Sequence, residues 1–110
     1  MSDLLVLRHR HDQRSFAQWD EFLSPELVAQ SEEAVRQLID RLIALGSTPS
    51  REQVQAKVSD CVQRFNDLDA GVADSWIFTI EREDIGKVIA GLVGLCGFED
   101  SEDWLSGRDW

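Results

Sequence analysis

Residues 74–97 read DSWIFTIEREDIGKVIAGLVGLCG, and the reading of this stretch decides the fold class. Trp76-Ile77-Phe78-Thr79-Ile80 is rich in residues that suit a pleated, half-buried surface, which allows a strand ahead of a helix beginning near Glu83. Asp74, however, is a good helix N-cap, and Ile77, Ile80, Ile85, Val88, Ile89, Leu92, Val93 and Cys96 recur at helical spacing. No Gly or Pro interrupts Ile77 to Ile85, and Gly97 supplies a stop. One long helix is the preferred reading, with strand-then-helix as the alternative. Within it Gly86, Ala90 and Gly94 line up at four-residue intervals. Glycine costs about 1 kcal/mol per helical site relative to alanine, so the pattern predicts a compensating close approach of another helix, inside the monomer or across a dimer.

Upstream, the same periodicity is plainer. Ser24-Pro25-Glu26 combines an N-cap, a first-turn proline and an acidic first turn. Leu27, Val28, Val35, Leu38, Ile39, Leu42 and Leu45 then recur until Gly46. A second long helix follows the linker Ser47-Thr48-Pro49, capped by Ser50 with Gln53 or by Thr48. Its apolar positions are Val54, Val58, Cys61, Val62, Phe65 and Leu68, and Asp69-Ala70-Gly71 closes it. Ser15 with Gln18 has capping-box form ahead of a short stripe, Phe16, Trp19, Phe22 and Leu23. Leu4-Leu5-Val6-Leu7 reads equally as an edge strand or the opening of another helix. Trp104 and Trp110 predict a tail that folds back and plugs the bundle with at least one indole. The expected architecture is one all-α domain over residues 1–110: an antiparallel bundle of about four helices with the C-terminal tail packed on it.

Composition narrows the function classes. The chain is 43% hydrophobic and 29% charged, an ordinary globular balance that excludes wholesale disorder. The longest mostly apolar stretch, Ile85 to Phe98, is broken by Lys87 and falls short of the ~20 residues of a membrane span. The start, Met1-Ser2-Asp3, lacks the basic flank of a secretion signal, so a reducing cytoplasm is the expected compartment. Net charge is −10, which opposes nonspecific binding to nucleic acid or an anionic membrane.

The second half resembles a family of small uncharacterised bacterial proteins known only as a domain of unknown function. Three stretches carry the resemblance: Phe65-Asn66-Asp67-Leu68, then IFTIERE from Ile77 to Glu83, then Gly97-Phe98 with Arg108-Asp109-Trp110. The first 60 residues do not share it clearly, and Trp76 replaces an acidic or polar position of the family. The resemblance implies an all-helical domain and no established activity. Thr79, Arg82 and Glu83 stand at i, i+3 and i+4, within mutual reach on a helix. With Asn66, Arg108 and Asp109 they form an expected structural network, in which a pair such as Arg82 with Asp109 pins the tail.

Few residues suggest chemistry. His9 and His11 would share a face if the segment were extended and, with Asp12, make a candidate cation site, but Arg8, Arg10 and Arg14 crowd it with positive charge. Asp67, Asp69 and Asp74 fail the EF-hand template, since position 12 counted from Asp67 is Phe78. Cys61 and Cys96 sit on apolar faces and read as small buried hydrophobes before a disulfide or a reactive thiol. No nucleophile elbow or phosphate-cradling glycine loop is present, so the expectation is a non-enzyme without cofactor or metal.

Charge is the feature that departs from average. Residues 1–66 hold 8 basic and 10 acidic side chains, whereas residues 67–110 hold 3 basic and 11 acidic. The density peaks at Glu99, Asp100, Glu102 and Asp103, beside Trp104. Solubility alone explains such a surface. The sharper expectation is a docking face for a basic protein, with Trp104 as anchor and the carboxylates as rim, in an inhibitor or immunity protein. The alternatives are a homodimer through the Gly86/Ala90/Gly94 groove and a small-ligand or metal protein using His9, His11 and Asp12.

Overall fold

Ser24 starts the central helix as its chemistry requires: its Oγ accepts from the Leu27 N–H at 3.2 Å, and Pro25 occupies the first turn, where a missing N–H costs nothing. The structure is a computed structural model that describes residues 4–21, 23–46, 48–71, 77, 79–98 and 102–105; of residues 79, 80, 102 and 103 it describes the backbone alone. Four α-helices follow in order, α1 (Leu4–His11), α2 (Pro25–Ala44), α3 (Arg51–Ala70) and α4 (Thr79–Leu95), with 3₁₀ turns at Ala17–Glu21 and Glu102–Leu105.

The helix ends obey local rules. Gly46, at φ +88°, closes α2 in the left-handed region that L side chains avoid. Ser50 wins over Thr48 as the cap of α3, because it forms the reciprocal box with Gln53, at 3.1 Å and 2.8 Å. At the end of α4 the Phe98 N–H reaches Val93 O and the Gly97 N–H reaches Gly94 O, a Schellman closure with Gly97 at φ +91°.

α2 is the hub. It packs on α1 and α3, α1 also meets α4, and the two 3₁₀ turns lie on α2 and α3. Arg41 pairs with Asp60 at 3.5 Å and Arg64 donates to Gln37, so α2 and α3 run antiparallel. One core draws on all four helices, with Leu7, Leu38, Leu42, Val58, Phe65, Ile85 and Leu92 each almost fully buried. Phe16 and Trp19 stack at 4.1 Å, and Phe65 meets Phe16 edge-on at 6.1 Å. The chain is an all-α bundle, as the periodicity predicts. No strand occurs among the described residues, and no helix among them is long and apolar enough to cross a membrane.

Three expectations change. Leu4–Leu7, undecided from sequence, is helical and belongs to α1. The Ser15–Gln18 capping box does not form: the N–H groups of Ser15 and Phe16 donate instead to the carboxylate of Glu32, and only a 3₁₀ turn follows. The long helix expected from Asp74 begins later, at Thr79. Ile77 lies ahead of the helix, and its N–H donates to Asp69 Oδ1 at 3.1 Å; Asp74 and Trp76 lie outside the described residues.

The tail does return to the bundle. Trp104 is 2% exposed, its ring lies 4.8 Å from the Arg51 guanidinium and 5.8 Å from Phe98, and its carbonyl accepts from Gln55. Leu105 Cδ1 stands 3.7 Å from where a Cβ on Gly86 would lie, so a tail side chain rather than a helix fills that notch. Among the described residues nothing outside its own helix lies within 4 Å of where a Cβ on Gly94 would stand. Trp110 lies outside the described residues.

Candidate functional site

Helical geometry undoes the histidine cluster. In α1, residues two apart project about 200° from one another, so His9 and His11 do not share the face that the cation reading required. His9 Nε2 pairs with the Gln13 amide at 3.0 Å. His11 lies between Asp40, 3.1 Å from Nε2, and Asp12, 3.5 Å from Nδ1, where it ties α1 to α2. Among the described residues no group of three or more His, Cys, Asp or Glu side chains could hold a metal ion.

Both thiols are free and buried. Desolvation pushes the Cys61 thiol up to about 12, against the small opposing pull of Arg64 and Arg41, and its Sγ lies 3.8 Å from Ala34 O. Burial raises the Cys96 thiol as well. A nucleophilic cysteine is shifted the other way.

The structural network expected around α4 is divided. Asn66 is buried, at 5% exposure, but Arg82 and Glu83 are exposed, which removes Arg82 from any buried pair. Thr79 is described in backbone alone, and Arg108 and Asp109 lie outside the described residues. The buried carboxylates of this region are Glu81 and Asp69. A third, Glu32, is 4% exposed and was missed in sequence. It accepts from Ser15 N–H at 2.7 Å, Phe16 N–H at 3.2 Å and Arg14 Nε at 2.9 Å. Its position one turn beyond Val28, inside an apolar stripe, is the sign that could have marked it. Arg14 also grips Asp20 with a bidentate pair at 2.6 and 2.8 Å, and this hydrogen bonding holds the Asp20 carboxyl below its ordinary value. The guanidinium itself is shifted upward, chiefly by Asp20 and then by Glu32.

The expected docking residues are likewise split. Glu99 and Asp100 lie outside the described residues, and Glu102 and Asp103 are described in backbone alone. Trp104 is buried against α3, so its indole is part of the core and offers no surface to a partner. Ion pairs among the described residues all fall between residues 11 and 60, where most of the basic side chains are. Exposed Asp67 and Glu83 form none, Asp67 accepting only from the Gln63 amide at 2.9 Å. Asp84 accepts the Trp19 indole N–H at 2.9 Å and the Gln18 amide at 3.2 Å. Between the start of α2 and the end of α3 lies an open groove lined by Ser24, Glu26, Leu27, Gln30, Asp67, Leu68 and Gly71.

Residues 13–110 match the model of a family described as a family of unknown function, DUF5713. The chain belongs to DUF5713. No curated protein and no solved structure matches it. The DUF5713 match reaches far upstream of the stretch at which the sequence resemblance begins, Phe65, and takes in the Arg14–Glu32 cluster, α2 and the groove. Of the described elements, α1, with His9 and His11, precedes it.

Proposed function

We propose that this DUF5713 chain is a non-catalytic domain that binds a basic protein partner through its acidic surface, in the manner of an inhibitor or immunity protein of a bacterial cytoplasm. One observation carries the reading: the chain holds ten excess negative charges, yet the ion pairs among the described residues lie between 11 and 60. Exposed Asp67 and Glu83 therefore remain open to an external cation, and Glu99, Asp100, Glu102 and Asp103 extend the same excess of charge in sequence. Opposed potentials of this kind speed encounter and reject wrong partners.

The homodimer alternative needs a continuous Gly86/Ala90/Gly94 groove. Leu105 already occupies the notch at Gly86, which weakens that reading. Sedimentation at micromolar concentration separates the two, a monomer excluding the dimer. The docking reading is tested by affinity capture of the tagged chain at rising salt. One stoichiometric basic partner, released as salt rises and lost on charge reversal of Glu99, Asp100, Glu102 and Asp103, is the expected result. A partner indifferent to that reversal sinks the acidic-face reading.

A further inference from the structure

We infer that the groove between the start of α2 and the end of α3 receives an arginine side chain of the basic partner. The inference rests on the basic-partner reading and adds to it the place and the chemistry of one contact. The groove combines two features that arginine needs together. Its floor includes Leu27 and Leu68, half-buried side chains packed against the core and apolar enough to cover a (CH₂)₃ stem. Its rim carries Glu26 and Asp67, both exposed, and no basic residue among the described ones lines it. Neither carboxylate is neutralised from within: Glu26 has no ion pair among the described residues, and Asp67 keeps Oδ2 free because Gln63 bonds only Oδ1.

The end of α3 adds to the sign of the field: its last turn contains no basic residue, and its final carbonyls carry the negative end of the helix dipole toward Gly71. At the other wall the positive N-terminal end of α2 opposes it, offset by Glu26 in the first turn and by Ser24, which takes the Leu27 N–H. A planar guanidinium offers donors in several directions, to Asp67 and to Glu26, while its stem lies over the leucines. A lysine ammonium satisfies the rim but has no fork to offer, and an acidic or uncharged peptide meets unpaired carboxylates.

The test is an amide-resolved NMR titration of the full chain at about 0.15 M salt, near physiological ionic strength, with acetyl-hexaarginine amide as probe and acetyl-hexacitrulline amide as its uncharged counterpart. Saturable shifts are expected at the N–H groups of Leu27, Leu68 and Gly71 with the arginine peptide and not with the citrulline peptide. Joint replacement Glu26→Gln and Asp67→Asn, which keeps shape and the Gln63 bond, is expected to weaken binding roughly fivefold, from two exposed ion pairs. Arginine-peptide shifts confined to another face, and unchanged in the double variant, overturn the groove while leaving the basic-partner reading standing. No response to the arginine peptide anywhere overturns both. Groove shifts that grow with protein concentration in the absence of peptide assign the groove to a second copy of the chain and also overturn the inference.

Discussion

Glu32 joins the N–H groups of Ser15 and Phe16, which the loop itself does not satisfy, and the side chain of Arg14. Leaving a buried donor without acceptor costs ~1–3 kcal/mol. Glu32→Ala should therefore lower stability by about 2–4 kcal/mol, read as a shift of the urea midpoint, whereas Glu32→Gln keeps an acceptor and loses less. Equal losses for both variants would mean that the Arg14 pairing, not the backbone contacts, carries the effect. Cys61 tests burial through pH. Its folded thiol sits at about 12 against an ordinary value of 9.0, so the native state holds a proton that the unfolded chain releases. The contribution to stability is fully present below about pH 9 and is lost as pH rises toward 12. The urea midpoint should fall across that window, and Cys61→Val should flatten the fall; an unchanged slope would place the titration elsewhere. Ser31 stands apart, since its Oγ is buried with no hydrogen-bond partner among the described residues.

At the scale of elements, α4 bears its glycines unequally. Gly86 faces Leu105, Gly91 lies 3.5 Å from Arg10 Nη2 at its would-be Cβ, and Gly94 faces open space in a helical conformation. Gly94→Ala should therefore raise stability by ~0.5–1 kcal/mol, the ordinary helix-propensity gain, measured by thermal or urea unfolding. A loss instead, accompanied by a change in sedimentation, would show that Gly94 is covered by another subunit. The start of α4 carries a second element-scale lesson. Periodicity extends the helix back to Ile77, yet α4 begins at Thr79, and the Ile77 N–H donates to Asp69 at the end of α3, an acceptor eight residues away in sequence.

For the whole molecule, charge is the governing quantity. A net charge of −10 on 110 residues repels itself, and the few exposed ion pairs return little. Raising salt from about 0.02 to about 0.2 M should raise the melting temperature by on the order of a few degrees, because screening relieves net repulsion more than it weakens the pairs of Arg14 and Arg41. A falling melting temperature would mean that the ion pairs outweigh the repulsion.

Local spacing alone marks α2 and α3 almost to the residue, including the Ser24 cap, the Pro25 start and the glycine stops at Gly46 and Gly71, and leaves the cap of α3 between Thr48 and Ser50. These features depend on neighbours within one helical turn, so local spacing is sufficient to read them. The all-α class followed from the same periodicity, and membership of DUF5713 agrees with the family resemblance of the second half. What only the tertiary structure decided involves partners far apart in the chain. Glu32 caps the loop at residues 15 and 16, Asp84 receives the indole N–H of Trp19, and Asp69 receives the N–H of Ile77. Trp104 turns inward beneath Arg51 and is lost to any surface, and the α2–α3 groove pairs Glu26 with Asp67 across two helices. Such contacts have no period in the sequence. They arise because a buried polar atom must find a partner wherever packing brings one within hydrogen-bond reach.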